Sequence, residues 1–265
     1  MELGRCVFIR RMAADLLVDW WSDQVAVLSI NRPARRNVVD HELLAEIAVA
    51  LQPLGQKAGA VVLRGAGGEA FSAGFDLDRI RGTEADLEAD HAIGVAVDAI
   101  VACPVPVISM IQGHCHGAGV ELALSCDLRI ASHDLQLSLK AVSLGVVYRY
   151  QLVSRVVSLA GLGRAADLLL AMPTLGAADA LIWGLVTEVQ PAGRIENRTR
   201  ELAESIASAP RSAVEGTKAS LVMAGLGSID QADLERAAAW RHRAATSPER
   251  RAALAAAKKR LGRSG

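Results

Sequence analysis

The chain lacks a charge imbalance, is poor in aromatic residues and has no closely paired cysteines. Its 29 Lys and Arg residues balance 29 Asp and Glu residues, so nothing in the net charge favours a nucleic-acid partner. Aromatic residues make up only 3%, and the core must therefore be built mainly from Ala, Val, Leu and Ile. The four cysteines, at positions 6, 103, 115 and 126, form no C-x-x-C pair, which argues against a disulfide framework or a zinc ribbon and favours a reducing compartment.

Long apolar runs and the common cofactor motifs are also missing. No run approaches the ~18 residues of a transmembrane helix, and the segment Cys6–Ile9 is too short for a signal peptide, so we predict a cytoplasmic protein. There is no G-x-S-x-G elbow, no Walker A loop and no G-x-G-x-x-G turn after the first strand. These absences argue against a serine hydrolase, a P-loop enzyme and a dinucleotide-binding enzyme.

The first half of the chain alternates strand-like and helix-like patterns, which predicts an α/β protein. We predict strands at 16–20, 25–30, 60–63, 105–111, 127–131 and 135–139, and helices after Asp40, within 84–101 and at 117–125. The rest is mostly helical, with one strand at 185–189 and a final helix at 248–260. We divide the chain into an N-terminal extension (1–14), an α/β core (15–200) and a helical C-terminal region (201–265).

Two glycine-bearing turns that come after predicted strands are the most informative segments. The first, at 65–77, has small residues that let a ligand approach the backbone, and Asp76 is placed to cap the next turn, although an ordinary capped turn has the same composition. The second, at 113–124, opens a helix near Gly117 and Ala118, where unpaired N–H groups and the helix dipole favour negative charge. Glu121 lies one turn further on. Its presence there is explained equally well by stabilisation from the helix dipole or by a catalytic role.

Three segments in order resemble the crotonase (enoyl-CoA hydratase/isomerase) family: Asn31-Arg32-Pro33 with Arg36-Asn37, Phe71-Ser72-Ala73-Gly74-Phe75-Asp76, and residues 113–122. The resemblance continues through residues 125–131, Gly161 and residues 177–189, and covers most of the chain. It implies a spiral of repeated β-β-α turns with a C-terminal helical region that builds trimers, commonly paired into hexamers. It also implies an acyl-CoA thioester ligand, with coenzyme A entering as part of the substrate and no separate cofactor.

The resemblance assigns the two main-chain N–H groups that hold the thioester oxygen to Phe75 and Ala118. Such an oxyanion hole is arranged before charge develops, and each donor contributes about 2.7–4 kcal/mol in the transition state. The basic residues on the CoA phosphates are expected to be Arg36 and either Lys258 or Lys259. The full set of implied substrate and CoA contacts is Arg36, Asn37, Ala73, Gly74, Phe75, Asp76, Leu77, Gly117, Ala118, Lys140 and Lys258.

The chain departs from the two-glutamate pattern of the family's hydratases. Glu121 matches the glutamate that activates water, but the position of the second, four residues before Gly145, is Ala141. Because a positioned acid or base contributes about 10²–10⁴-fold, we expect weak hydration unless another group substitutes. Tyr148, in a Gly-Val-x-Tyr arrangement similar to that of decarboxylating members, is the candidate proton donor; a packed tyrosine with a satisfied hydroxyl is the alternative. Arg149 stands where the family's dehalogenases have a nucleophilic aspartate, which disfavours dehalogenation.

His114 and His116 share a face of a predicted strand, but Cys115 points the other way and no third ligand is evident, so we predict no metal site. The leading prediction is an enoyl-CoA hydratase, in which Glu121 orients or deprotonates water. Two alternatives stay open. One is decarboxylation of a malonyl-type CoA with protonation by Tyr148 or water, and the other is an acyl-CoA carrier without chemistry.

Overall fold

The computed structural model describes residues 15–80 and 87–225, together with isolated positions between 232 and 252. The predicted extension at 1–14 and the two C-terminal lysines, Lys258 and Lys259, lie outside the described residues. Nearly all of the predicted helix at 248–260 lies outside them as well. Within the described part of the chain, no helix is long and apolar enough to cross a membrane.

The described strands form two sheets. They are β1 (Leu16–Ser22), β2 (Val25–Ile30), β3 (Ala60–Gly65), β4 (Ala70–Ser72), β5 (Val107–Ile111), β6 (His114–His116), β7 (Leu128–Ser132), β8 (Gln136–Ser138) and β9 (Glu188–Gln190). The larger sheet has the order β1-β2-β3-β5-β7-β9, in which β1 is antiparallel to β2 and each later pair is parallel. The smaller sheet, β4-β6-β8, is parallel throughout.

Helices connect these strands and cover the sheets. They are α1 (His41–Lys57), α2 (Leu87–Ala102), α3 (Ala118–Ser125), α4 (Tyr150–Ala166), α5 (Ala177–Ile182), α6 (Ile195–Ala207) and α7 (Arg211–Gly225). A long strand, a short strand and a helix recur as β3-β4-α2, β5-β6-α3 and β7-β8-α4. This repeat is the predicted spiral of β-β-α turns, and it places the short strands and their C-terminal loops beside one another.

Apolar periodicity explains these elements. The central strands β2 and β5 are buried along their whole length, as expected for parallel strands covered on both faces. Helix α1 begins after Asp40, whose Oδ1 accepts a hydrogen bond from the amide of Leu43 at 3.0 Å, and its apolar stripe is buried in the main core. Helix α6 covers the opposite face of the large sheet, where Ile195 and Ala203 join a second buried cluster.

Most predicted elements are confirmed within a few residues, but the predicted strand at 185–189 begins too early. The observed strand begins at Glu188, because Leu185 is still hydrogen-bonded to the end of α5 through the Ala180 carbonyl, at 2.9 Å. Gly184 makes that turn with a φ of 76°. The predicted boundary at residue 200 falls inside α6, and trimerisation through the C-terminal region stays a prediction.

A buried lysine attaches α7 to the core. Lys218 is 4% exposed, and its Nζ donates to the carbonyls of Ile100 and Val105 at 3.2 and 3.0 Å and to Asp127 Oδ2 at 2.8 Å. The same Asp127 oxygen accepts the amide of Val107, the first residue of β5, at 2.7 Å. Every one of these polar groups is satisfied, which is the condition for placing a charge in the interior.

Candidate active site

The two glycine-bearing turns meet where β4 and β6 end. Gly74 has a φ of 96°, and a Cβ built on it would lie 2.8 Å from the carbonyl oxygen of His116 and 3.4 Å from the amide nitrogen of Ala118. Gly117 has a φ of 49° and also packs against Gly74. Only glycine at position 74 allows the backbones to approach this closely in this conformation. The structure therefore brings residues 74–75 and 117–118 together, as the resemblance implies.

The amide of Phe75 is left available by the bridge that holds this residue. Val39 pairs with Phe75 in a parallel bridge that uses the Gly74 carbonyl and the Asp76 amide, at 2.9 and 2.8 Å. The Phe75 N–H takes no part in the bridge, and among the described residues it has no hydrogen-bond acceptor. The ring of Phe75 packs edge-on against His41, with centroids 5.1 Å apart. The backbone is thus fixed while one donor stays unused.

The amide of Ala118 is available for a different reason. Ala118 is the first residue of α3, so its N–H has no partner within the helix, and no described residue outside the helix accepts it. The preceding Gly117 is fixed by its own amide, which donates to the Ser138 carbonyl at 3.1 Å. Gly119 packs so tightly on β4 that a Cβ would lie 2.7 Å from the Ser72 carbonyl oxygen. Two acceptor-free amides therefore come from adjoining, rigidly held segments.

Polar contacts also hold the loop at the end of β4. Asp76 is 4% exposed and caps a short 3₁₀ turn by accepting the amide of Asp78 at 3.2 Å. Arg35 donates to both oxygens of Asp76, at 2.8 and 2.9 Å. The hydrogen bonds from Arg35 hold the pKa of the Asp76 carboxyl below its usual range. Asp76 is thus a structural carboxylate whose side chain is committed to the protein.

Asn37 is likewise committed. It is fully buried with a φ of 57°, its Nδ2 donates to the carbonyls of Ala66 and Ala70 at 2.9 and 2.7 Å, and its Oδ1 accepts the amide of Arg32 at 2.9 Å. A left-handed backbone at this position suits asparagine better than most residues. Asn37 is therefore a predicted CoA contact whose side chain is committed to the protein and whose amide donates to the Arg32 carbonyl at 2.9 Å.

A surface cleft of about 580 Å³ lies along the loop before α1, and it is lined by Pro33, Ala34, Arg35, Arg36, Val38, Glu69 and Ala73. It contains two of the predicted CoA contacts, Arg36 and Ala73. Arg36 is paired with Glu69 through a 3.0 Å contact, and both side chains are more than half exposed, so the pair can open at little cost. Leu77 and Lys140 are exposed. Contact of these residues with CoA stays a prediction.

Glu121 is buried in the first turn of α3 and is paired with an arginine. It is 4% exposed, and its Oε1 accepts hydrogen bonds from Arg149 Nη2 and, at 3.1 Å, from Arg149 Nε. Desolvation raises the pKa of the Glu121 carboxyl above its usual value, and Arg149 acts in the opposite direction. No described residue donates to Oε2. The carboxylate is therefore held by one oxygen and keeps the other free.

Tyr148 reaches Ala141, the position at which the resemblance implies a second glutamate in the family's hydratases. Its hydroxyl oxygen accepts the amide of Ala141 at 3.1 Å, and the side chain is partly buried against the main core. Burial raises the pKa of the Tyr148 hydroxyl, and the nearby negative charge of Glu121 adds to this effect. The hydroxyl therefore keeps its proton near neutral pH and can act as a donor, not as a base.

The two histidines of β6 form hydrogen bonds on one face, as the alternation predicted. His116 Nε2 lies 3.3 Å from His114 Nδ1, and His116 Nδ1 lies 2.8 Å from the hydroxyl of Ser138, whereas Cys115 is buried. Burial, with smaller effects from His114, Lys140 and Arg36, lowers the pKa of His116. In the part of the chain that the structure describes, no group of three or more His, Cys, Asp or Glu side chains could hold a metal ion.

Sequence reasoning missed the roles of two arginines of the site. Position 149 stood out only as the replacement of a nucleophile, although Arg149 pairs with Glu121 across 28 positions of sequence. Arg35 pairs with Asp76 across 41 positions. The apolar sequence around Glu121 was a weak signal, because a carboxylate buried in an apolar helix needs a cation nearby. Nothing in the sequence indicated which arginine supplies that cation.

Comparisons with known proteins agree with this geometry. The enoyl-CoA hydratase/isomerase family model matches residues 21–258, and the chain therefore belongs to that family, within the crotonase superfamily. One relative is a peroxisomal Delta(3,5)-Delta(2,4)-dienoyl-CoA isomerase of Arabidopsis thaliana, 32% identical over 80% of this chain and 82% of that protein. Another is a short-chain-enoyl-CoA hydratase of Clostridium acetobutylicum, which is 30% identical over 74% of this chain and 76% of that protein. A crystal structure of an enoyl-CoA hydratase from Bacillus anthracis superimposes with a TM-score of 0.86 at 30% identity, covering 93% of this chain and 96% of that one. The predicted family and fold are confirmed.

Proposed function

We propose that this chain hydrates 2-enoyl-CoA thioesters, with the amides of Phe75 and Ala118 as the oxyanion hole. The observation that carries the proposal is the meeting, at Gly74, of the two segments that carry these amides, neither of which has an acceptor among the described residues. Relatives named as enoyl-CoA hydratases support the same substrate class. The hole binds the thioester oxygen more strongly as negative charge develops on it, and each donor is worth about 2.7–4 kcal/mol in the transition state.

In this mechanism Glu121 and Tyr148 divide the proton transfers. The free oxygen of Glu121 takes a proton from water as the water oxygen bonds to C3, and the electrons of the C2=C3 bond move into the thioester enolate. Tyr148 then protonates C2, and the proton held by Glu121 returns to Tyr148 through solvent, so the net addition is one water. The contact of the Tyr148 hydroxyl with the Ala141 amide supports this role, because it holds a proton donor beside the missing second carboxyl.

Decarboxylation of a malonyl-type CoA is the second candidate, and the ion pair of Glu121 with Arg149 favours it. A carboxylate that already accepts two hydrogen bonds from a guanidinium is a weaker base for water. In decarboxylation the bond from C2 to the carboxylate breaks, its electron pair enters the enolate as CO₂ leaves, Tyr148 supplies the proton to C2, and solvent reprotonates Tyr148. That reaction needs the oxyanion hole and an acid but no carboxylate base.

The test compares two thioesters with the wild-type chain and two variants. Hydration predicts loss of the conjugated thioester absorbance of crotonyl-CoA, and Glu121→Gln should reduce it by about 10²–10⁴-fold. Decarboxylation predicts CO₂ release from methylmalonyl-CoA, with a much smaller effect of Glu121→Gln. Ala141→Glu supplies the missing acid and should raise hydration if the first proposal holds.

Binding of both thioesters without turnover would contradict both reactions and favour an acyl-CoA carrier. Hydration that survives Glu121→Gln unchanged would remove Glu121 from the mechanism. Arg36 is proposed to contact the CoA phosphates and Lys140 to contact the bound acyl-CoA, and replacement of either by alanine should raise KM with little change in kcat. We further propose a homotrimer or hexamer, which the mass in solution would test.

A further inference from the structure

Arg149 transfers no proton in the proposed reaction, yet it is the most closely engaged cation near Glu121. It precedes α4 as its N-cap residue and crosses to α3, where its Nε and Nη2 both face Glu121 Oε1. Its side chain is only 16% exposed and that of Glu121 only 6%. Two donors on one carboxylate oxygen restrict the rotation of the carboxyl group and leave Oε2 as the reactive oxygen.

The opposite edge of the guanidinium is packed against α2. A Cβ at Gly94 would lie 2.6 Å from Arg149 Nη1, so a side chain at position 94 would require the end of the guanidinium to shift. Glu121 holds the Nε–Nη2 edge, and the planar group therefore fills the space between α2 and α3. The mostly buried guanidinium is thus hydrogen-bonded to Glu121 on one edge and packed beside Gly94 on the other.

The other titratable groups around this pair lie on α2, on α4 and on the segment that precedes α4. Asp90 on α2 interacts electrostatically with both Arg149 and Glu121, and burial raises the pKa of Asp90 while Arg149 lowers it. Arg155 on α4 adds a weaker positive contribution at Glu121, and Tyr148 lies on the segment before α4. Arg149 thus interacts with two partly or fully buried carboxyl groups and is the only cation that contacts Glu121 within the described residues.

We propose that Arg149 is a positioning residue that holds Glu121 ionised and oriented, with Oε2 free, so that Glu121 can act despite its burial. This inference deepens the proposed function and rests on it for the role of Glu121. Without Arg149 the carboxyl group would be buried with no cation in contact and would take up a proton. The arginine therefore makes a buried glutamate usable, and Gly94 makes room for the arginine.

The first test measures the titration of Glu121 directly, using ¹³C-labelled glutamate and carbon NMR on the full chain. Glu121→Gln identifies the resonance by removing it. In Arg149→Met the midpoint should move upward by about one pH unit or more, the size typical of a carboxyl that loses a contacting arginine. Arg149→Lys keeps the positive charge, so its Glu121 midpoint should lie between those of Arg149→Met and the wild type. Asp90→Asn should move the midpoint downward, because it removes a like charge.

Gly94→Ala is the second test and does not alter any charge. Its Cβ forces the guanidinium to tilt, and the midpoint should again move upward, by less than in Arg149→Met. This variant decides the question if Arg149→Met does not fold. An unchanged midpoint in both variants, or in Gly94→Ala alone when the other is unfolded, would overturn the inference.

Activity separates this inference from the proposed function. With crotonyl-CoA, Arg149→Met should lower kcat at neutral pH by at least about tenfold, with KM within about threefold, and a higher pH should recover part of the loss. A wild-type chain that is inactive on both thioesters would reject the proposed function, while the NMR shifts would still test the position of Arg149. Shifted midpoints with an unchanged pH profile of kcat would overturn the positioning role.

Discussion

Replacing Gly74 with alanine tests whether the two amides act together. The substitution adds a Cβ 2.8 Å from the His116 carbonyl oxygen and 3.4 Å from the Ala118 amide nitrogen. The carbonyl belongs to the backbone of β6 and cannot rotate away as a side chain can. Ordinary contact requires about 3.4 Å or more, so the two loops must separate by roughly half an ångström or more at the point of the proposed oxyanion hole.

The expected effect has two parts that can be separated. A left-handed alanine costs about 1–2 kcal/mol of folding free energy whatever surrounds it. Displacing one oxyanion-hole donor costs about 2.7–4 kcal/mol in the transition state, which is about 10²–10³-fold in kcat. Gly74→Ala should therefore unfold at slightly lower temperature and lose activity far more than stability.

Gly161→Ala is the control for backbone strain. Gly161 has a φ of 78° and a ψ of 159°, a conformation essentially restricted to glycine, so alanine there is strained by about 1–3 kcal/mol, but no heavy atom lies within 4 Å of its Cβ position. The control should lose stability without any new steric contact and should keep its kcat. The assay is turnover of whichever thioester the wild type accepts, alongside denaturant unfolding. A folded Gly74→Ala variant with kcat within about threefold of the control would refute the role of the meeting loops.

Three further predictions concern single side chains. Tyr148→Phe leaves the Ala141 amide without its acceptor, so we expect a loss of about 1–3 kcal/mol in unfolding free energy and about 10²–10⁴-fold in kcat; unchanged turnover would remove Tyr148 as the acid. Activity that needs ionised Glu121 should fall on acidification at a pH above the ordinary glutamate value, because burial raises its pKa; a kcat profile that declines only near that ordinary value would contradict this. Lys218→Met removes the cation from the partly buried Asp127 and the donor from two backbone carbonyls, and it should cost about 1–3 kcal/mol in denaturant unfolding; a cost below about 1 kcal/mol would mean that these contacts contribute little.

Local patterns in the sequence were sufficient to predict most of the elements and the two tight turns that carry the candidate site. Valine- and isoleucine-rich runs predicted the buried strands, and Asp40 predicted the start of α1. The glycines at 74 and 117 indicated tight turns after strands, because such turns need a backbone that residues with a Cβ rarely adopt. These signals lie within a few residues of the feature that they predict.

The family resemblance placed the same turns in one site, and the structure then showed how they are held. The parallel bridge from Val39 and the packing of Gly119 on Ser72 could not be predicted, because both join segments distant in sequence. The prediction of a strand at 185–189 was wrong in its start for a related reason. Its apolar residues are buried, but hydrogen bonds to the end of α5 hold its first part out of the sheet.

The sequence by itself determined which carboxylate and which hydroxyl are candidates for chemistry, since Glu121, Tyr148 and the absence of a glutamate at Ala141 are facts of residue identity. Only the tertiary structure decided the state of those groups. The pairing of Glu121 with Arg149 and the room that Gly94 leaves for the guanidinium depend on how three helices pack. The protonation of a buried group depends on its burial and on the charges that surround it, and both are properties of the folded chain.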